Sequence, residues 1–375
     1  MIIMNIELDN LLLFRDFSLN LSYPKKPVHT TIEEEHLSGR PNFRYKKLVV
    51  LMGANATGKT ALGKILMGIF NFISKKEAEN IFRLIDDSHH PASFSVDLAF
   101  SDHTLYRISA YIKARKNQND AYSSDDLTVS VQHTKILKND SYETCAARLA
   151  SPSLSEAAYD FYAQTLEEVP HLSWLFEDAF ATNGRQRPID PANTYIYASV
   201  LENTLQTLDP RILKVEVVPN VKNTYAILYP NNTVLIQDGI ITSPDRLSSG
   251  TKDGVGIAQM ITGMKLHAHD FYFCDEKFSH AHTDIEKTFL SVMIDLLKPD
   301  QQLFFTTHNL DILEMDLPLH SFAFLRRDDT SDHQVSSIFA SELLKKNNVS
   351  LRNAVENDLF STIPSTSAIF SLADQ

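Results

Sequence analysis

Cysteine is scarce, with only Cys145 and Cys274 in 375 residues. They lie in unrelated contexts without metal-style spacing, which argues against a disulfide framework or a zinc knuckle. No apolar run approaches the roughly eighteen residues that a membrane helix needs, so no membrane contact is expected. Basic residues are outnumbered 35 to 47, giving a net charge of −12. A surface broadly adapted to nucleic acid is therefore unfavoured, and any such role is left to a local patch or a partner. Met1 to Glu7 carries neither the basic region nor the cleavage site of a signal peptide, so the expected location is cytoplasmic. Internal repeats and long heptad runs are lacking too. What the chain has in quantity is apolar side chains, 43% of the total, enough for a sizeable core in one or two domains.

The remainder is organised around Leu48-Val49-Val50-Leu51-Met52, followed at once by Gly53-Ala54-Asn55-Ala56-Thr57-Gly58-Lys59-Thr60. Five consecutive apolar residues suit a strand buried on both faces, and Ala61 to Leu66 resumes with helical spacing. Between strand and helix, G-x-x-x-x-G-K-T has a mechanism. Its glycines let backbone N–H groups wrap phosphates, Lys59 reaches the β- and γ-phosphates, and the Thr60 hydroxyl can ligate Mg²⁺. Asn55, Ala56 and Thr57 belong to the same nucleotide-binding loop. The competing reading is a glycine turn that happens to carry Lys-Thr.

Residues 2–22 alternate well enough for two strands turning at Asp9-Asn10, and a loop rich in proline and acid runs from Tyr23 to about Asn42. Helices are expected from about Thr57 to Ile73 and from Lys75 to Ile85. A hairpin pairs Phe94–Phe100 with Leu105–Tyr111, and residues 127–137 add a strand. The basic cluster Lys113–Lys116 reads as a solvated loop in preference to the alternative of a nucleic-acid contact. From Ser141 to about Leu208 the spacing is helical, and its aromatic residues Trp174, Phe176 and Phe180 read as core. Strands return at Leu213–Val218, Thr224–Tyr229 and Val234–Gln237.

Phe271-Tyr272-Phe273-Cys274 is a short apolar strand ending in Asp275 and Glu276, where an α/β sheet presents ligands at its carboxyl edge. Asp275 suits a magnesium ligand, and Glu276 suits the residue that polarises an attacking water. Leu247-Ser248-Ser249-Gly250-Thr251 precedes a helix through Met260 and Met264. Its serines read either as an anion site at a helix start or as an ordinary N-cap. His308 follows the buried strand Leu303–Thr307 and reads either as a γ-phosphate contact or as a hydrogen-bonded core histidine. His280 and His282, with His267 and His269, invite a metal reading, but their spacing is not a zinc signature.

The order phosphate loop, Leu-Ser-Ser-Gly, apolar strand with Asp-Glu, then Thr-Thr-His resembles the ABC-type ATPases. Among them it is most similar to the stand-alone ATPases allied to chromosome-maintenance and recombination heads and to the overcoming-lysogenisation-defect family, as in antiviral systems such as PARIS. The resemblance covers Asn10–Phe17, Gly53–Thr60, Leu247–Thr251, Phe271–Glu276 and Phe304–Asn309, with a further similarity in the tail Asp358–Pro364. It implies an α/β fold: an ABC-type head with a mixed central sheet, an antiparallel β lobe and a helical insertion. The corresponding division is 1–140, 141–211 and 212–375. It further implies ATP and Mg²⁺ as ligands, Ser248, Ser249 and Gly250 as signature residues acting on ATP held by another subunit, and His308 as the switch histidine beside the catalytic Glu276. Ser249 and Thr251 stand where Gly and Gln are usual. No Q-loop glutamine is identified, and Lys277–His282 matches the D-loop only loosely.

The expected function is a Mg-dependent ATPase that forms composite sites in a head-to-head dimer, or a higher oligomer built from dimers, and regulates a separate effector protein. A DNA-repair or chromosome-associated clamp is the alternative, although the long coiled coil or basic face it calls for is not evident. A self-contained nuclease would need a further acidic metal site, for which the stretch after His308 is short. A transporter subunit fits neither the N-terminal half nor the central block.

Overall fold

The computed structural model describes residues 1–24, 31–115, 121–149, 161–178, 190–327, 334–344 and 350–362. Of the expectations above, Lys116, Phe180 and the tail residues Ile363 and Pro364 lie outside the described residues. The chain divides into two compact units. The first comprises Met1–Leu172, Pro299–Gln302 and Leu313–Gln375, and the second comprises Ser173–Lys298 and Leu303–Ile312. Among the described residues, no helix is long and apolar enough to cross a membrane.

The first unit opens with β1 (Ile2–Asp9) and β2 (Phe17–Asn20), antiparallel as expected, but joined by a longer connection over residues 10–16 in place of a turn at Asp9-Asn10. A small ribbon, β3 (His36–Leu37) with β4 (Arg40–Arg44), occupies part of the stretch read as loop. The strand β5 (Leu48–Met52) is buried at every residue, as an unbroken apolar run requires. Next comes α1 (Lys59–Lys75), whose buried Leu62, Ile65, Leu66, Ile69, Phe72 and Ile73 recur at helical spacing. The second helix is shorter than its spacing predicts: α2 is a single turn, Glu79–Phe82. Next are β6 (Ala92–Phe100), β7 (Thr104–Ile112) and β8 (Leu127–Lys135), then the short helices α3 (Tyr142–Ala146) and α4 (Phe161–Leu166). An antiparallel five-stranded sheet runs β2-β1-β6-β7-β8. Phe72 of α1 packs edge-on against Phe94 of β6 at 6.1 Å. Ile2, Leu37, Phe43, Tyr45, Ala99 and Tyr142 form one apolar cluster that ties the sheet to the ribbon and α3.

The second unit begins with β9 (Trp174–Glu177), a strand inside the stretch expected to be helical throughout. Trp174-Leu175-Phe176 is too short for a helix, and its aromatic residues fit a pleated surface. It pairs in parallel with the wholly buried strand Phe271–Asp275, and Phe176 stacks on Phe273 at 5.3 Å. Helical structure returns at α5 (Thr194–Leu208). The strands β10 (Lys214–Val217), β11 (Thr224–Leu228), β12 (Thr233–Gln237) and β13 (Ile240–Ile241) form an antiparallel sheet. Tyr197 of α5 meets Tyr225 of this sheet edge-on at 5.0 Å. The unit continues through α6 (Ser249–Lys265), β14 (Phe271–Asp275), α7 (Thr283–Leu296) and the Leu303–Thr306 part of β15 (Gln302–Thr306), which lies beside β14. Returning to the first unit, β16 (Phe322–Arg327) runs parallel to β5 and antiparallel to β17 (Val335–Phe339), so this group is mixed. The helices α8 (Ala340–Leu343) and α9 (Leu351–Glu356) follow.

One amide joins distant parts of the first unit. Gln302 is fully buried, and its Oε1 accepts the Ile3 N–H at 3.0 Å. Its Nε2 donates to the carbonyls of Ile3 at 3.2 Å and Lys46 at 2.9 Å. Gln302→Leu strands these groups, and each unsatisfied buried donor or acceptor costs about 1–3 kcal/mol. The variant is expected to lose about 2–3 kcal/mol in urea unfolding. A loss below about 0.5 kcal/mol would mean that the three backbone groups find other partners.

Candidate functional site

The loop after β5 is shaped by contacts that only glycine allows. Gly53 has φ +153°, and a Cβ there would lie 2.5 Å from the backbone oxygen of Leu325 in β16 and 2.6 Å from Thr57 Oγ1. Gly58 has φ +106°, and a Cβ there would lie 2.9 Å from Phe14 Cζ. Ala56 also takes a left-handed conformation, with φ 62°. Thr57 is buried and donates its hydroxyl to Ala54 O at 2.8 Å, closing the curl across its middle. Lys59, also buried, donates Nζ to Gly53 O at 3.0 Å and to Ala54 O at 3.2 Å. Asn55 and Ala56 are exposed, and Thr60 is half-buried in the first turn of α1. That turn carries no acid, so the positive end of a seventeen-residue helix is not neutralised locally. Backbone N–H groups, a helix N-terminus, an ammonium and a hydroxyl are what a polyphosphate with a hard cation requires.

The N-terminal stretch supports this loop from below. Phe14 is buried, packs on Phe17 at 4.6 Å and fills the space that a side chain at Gly58 would need. Asn10 is buried with φ 53°; its Nδ2 donates to Asp87 O at 2.7 Å and its Oδ1 accepts the Asp87 N–H at 3.0 Å.

In the second unit, Asp275 ends β14 and is buried, and its Oδ1 accepts the Thr306 hydroxyl at 2.6 Å. The same Thr306 oxygen accepts the Glu276 N–H at 3.0 Å. Glu276 turns left-handed, with φ 48°, as the chain leaves the strand. Its Oε1 lies 2.8 Å from His308 Nε2. The histidine ring is half-exposed, so the pair faces solvent and is not a core contact. A cavity of about 300 Å³ is lined by Glu276, Ser279, Glu286, Thr307, His308 and Asn309. A carboxylate beside an imidazole at the edge of a cavity can accept, hold and return a proton.

Ser248 is the N-cap of α6: its Oγ accepts the Thr251 N–H at 3.1 Å and lies 2.7 Å from Thr251 Oγ1. Ser248 and Ser249 are exposed and Gly250 is half-exposed, 3.3 Å from His280 O at its would-be Cβ. Three of the four histidines read for metal, His269, His280 and His282, have separate partners. His280 Nδ1 meets Asp253 at 3.1 Å, His282 caps α7 by accepting the Asp284 N–H, and His269 lies 3.2 Å from Ser173 Oγ. Among the described residues, no group of three metal-ligating side chains forms. In the basic cluster, Arg115 stacks over Tyr122 at 3.4 Å and Lys113 reaches Asp125 O at 3.3 Å.

Neither the family models nor the curated proteins compared with this chain include a match. Solved structures do. An SMC head bound to the C-terminal winged-helix domain of ScpA superposes with a TM-score of 0.51 at 13% identity, covering 95% of this chain and 100% of that one. An Smc head domain with an extended coiled coil, bound to the C-terminal domain of ScpA derived from Pyrococcus furiosus, gives 0.51 at 10% identity, covering 94% and 98%. The chain has the SMC-head fold. The expected α/β class, with mixed and antiparallel sheets, is therefore met.

Two functional-site features escaped the sequence. Lys277, buried directly after Glu276, lies 3.9 Å from both Glu177 and Asp253, and burial raises the pKa of Asp253. Glu286 is buried on α7 and holds Thr307 and Asn309. The available signal was an acid within an apolar stripe, since Glu286 shares its buried face with Phe289, Leu290 and Met293.

Gly53→Ala combines a strained φ with a backbone clash and is expected to cost about 1–3 kcal/mol. Gly263→Ala is the control: its Cβ meets only ordinary contacts, from 3.5 Å, within α6. It should be neutral or stabilising by up to about 1 kcal/mol. Equal effects in denaturant titration would show that the loop glycine is not constrained.

Proposed function

We propose that this chain is a Mg-dependent ATPase of the ABC type. The observation that carries the reading is the phosphate-loop curl, with both glycines locked by packing and Lys59 and Thr60 at the start of α1. In this reading, the loop N–H groups and Lys59 hold the β- and γ-phosphates. By the sequence resemblance, Thr60 on the loop and Asp275 at the end of β14 are each assigned as a magnesium ligand, and magnesium would neutralise phosphate charge when bound. Glu276 orients and deprotonates the attacking water, and His308 steadies the carboxylate and contacts the γ-phosphate. Ser248 and Ser249, exposed at the start of α6, and the half-exposed Gly250 act on ATP held by a second copy, so two chains close two composite sites head to head.

On the sequence resemblance to stand-alone antiviral ATPases, we assign the ATP state the task of switching the affinity for a separate effector. The net charge of −12 favours a protein partner over broad DNA contact. The similarity of fold to SMC heads supports the second reading, a chromosome-associated or repair clamp. ATP-dependent retention on DNA would favour that clamp.

Glu276→Gln should retain ATP binding, slow hydrolysis by about 100-fold or more, and accumulate an ATP-dependent dimer in light scattering. Lys59→Ala should lose nucleotide binding in calorimetry. A folded Lys59→Ala chain with normal ATP affinity would sink the phosphate-loop assignment. A Glu276→Gln chain whose association does not respond to ATP would sink the composite site.

A further inference from the structure

Glu286 belongs to none of the motifs read from the sequence, yet it is 5% exposed on α7. Its Oε1 accepts the Thr307 hydroxyl at 2.6 Å, and its Oε2 accepts Asn309 Nδ2 at 2.8 Å. These are the residues immediately before and after His308. The bracket is closed on itself: Asn309 N–H donates to Thr307 Oγ1 at 3.0 Å, and Asp311 N–H donates to Asn309 Oδ1 at 3.0 Å. One residue earlier, Thr306 is tied to Asp275. Every neighbour of His308 from 306 to 309 is therefore hydrogen-bonded by its side chain, while the imidazole is left half-exposed against Glu276.

We propose that Glu286 is a positioning residue that fixes the His308 backbone from both sides and so sets the imidazole against Glu276. Its catalytic consequence rests on the ATPase reading above. A carboxylate is suited to the task because it offers two acceptor oxygens to two donors. Glutamine offers one: turned one way it leaves the Thr307 hydroxyl proton without its acceptor, and turned the other its amide N–H₂ faces the amide N–H₂ of Asn309. Asn309 cannot flip to relieve this without releasing the Asp311 N–H. Burying the carboxylate is costly: burial pushes its pKa up, and the hydrogen bonds from Thr307 and Asn309 only partly offset this. A position with packing as its sole duty, beside Phe289, Leu290 and Met293, would be more stable with an apolar side chain.

The test uses the full chain with ¹⁵N-labelled histidine rings, without nucleotide, and compares wild type with Glu286→Gln and Thr307→Val. Wild type should show His308 in one tautomer. In both variants that signal alone should become averaged, with the other histidine signals in place. Two variants guard against one failing to fold. In parallel, Glu286→Gln should slow ATP hydrolysis by about ten- to a hundredfold, the cost of a small misplacement, at unchanged ATP affinity. The Glu286→Gln, His308→Ala double variant should be no slower than His308→Ala alone. An unchanged His308 signal in both folded variants, or losses that multiply in the double variant, would overturn the proposal. If wild type hydrolyses no ATP, the proposed function fails, and the ring signals still decide the positioning role of Glu286 because they need no nucleotide.

Discussion

A carboxylate at the end of a buried strand has to be satisfied without water, and the way Asp275 is satisfied governs the arrangement of the second unit. Thr306, from the neighbouring strand, gives its single hydroxyl proton to Asp275 and its oxygen lone pair to the Glu276 N–H. A hydroxyl can serve both because it is donor and acceptor at once. The bond fixes where β14 stops, and Glu276 leaves the strand at φ 48°. From that turn the carboxylate of Glu276 reaches His308, which is only two residues beyond Thr306. The proximity of the carboxylate and imidazole therefore follows from the pairing of two strand ends. Removing the Thr306 hydroxyl would take one donor from Asp275 and one acceptor from the Glu276 amide.

The first unit meets a different constraint: its loop must bring backbone N–H groups together without side chains in the way. Gly53 is pressed against a carbonyl of β16, and Gly58 against the ring of Phe14. The loop is thus moulded by a strand from late in the chain and by a phenylalanine from its beginning. Neither contact is local in sequence, although the glycine spacing that accommodates them is. Close packing of this kind leaves no room for a side chain at either glycine, so the path of the loop is set by its neighbours.

What was legible in the sequence were the elements with a strong period or an unbroken apolar run. Leu48–Met52, Phe271–Asp275, the Phe94 hairpin and the helix after Lys59 were all readable because burial on one or both faces leaves a pattern. Trp174–Glu177 was not, because four residues flanked by helical spacing carry too little period to separate strand from helix, and its pairing with β14 is a tertiary fact. Glu286 stood out only as an acid within an apolar stripe, a weak signal for a related reason. An isolated acid on a helix is usually solvated, and only Thr307 and Asn309, brought over it by the end of β15, make it a buried acceptor. The serines of Leu247–Thr251 were read in two ways, and the structure shows Ser248 in one of them, as an N-cap.

That cap does not exhaust the hydroxyl. Ser248 spends one lone pair on the Thr251 N–H, and the remaining proton is shared within 2.7 Å of the Thr251 hydroxyl, which is itself wholly buried. Thr251 can donate its own proton to Ser248, which releases the Ser248 O–H outward. The first N–H groups of any helix also lack partners within the helix, and this one has no acid in its first turn to compensate them. Capping and anion contact therefore draw on different atoms of the same residues. A helix start that must face a phosphate on another chain, as the proposed composite site requires, is best built from a residue that also caps it. The cap holds the donor directions fixed while the outer face stays open to solvent.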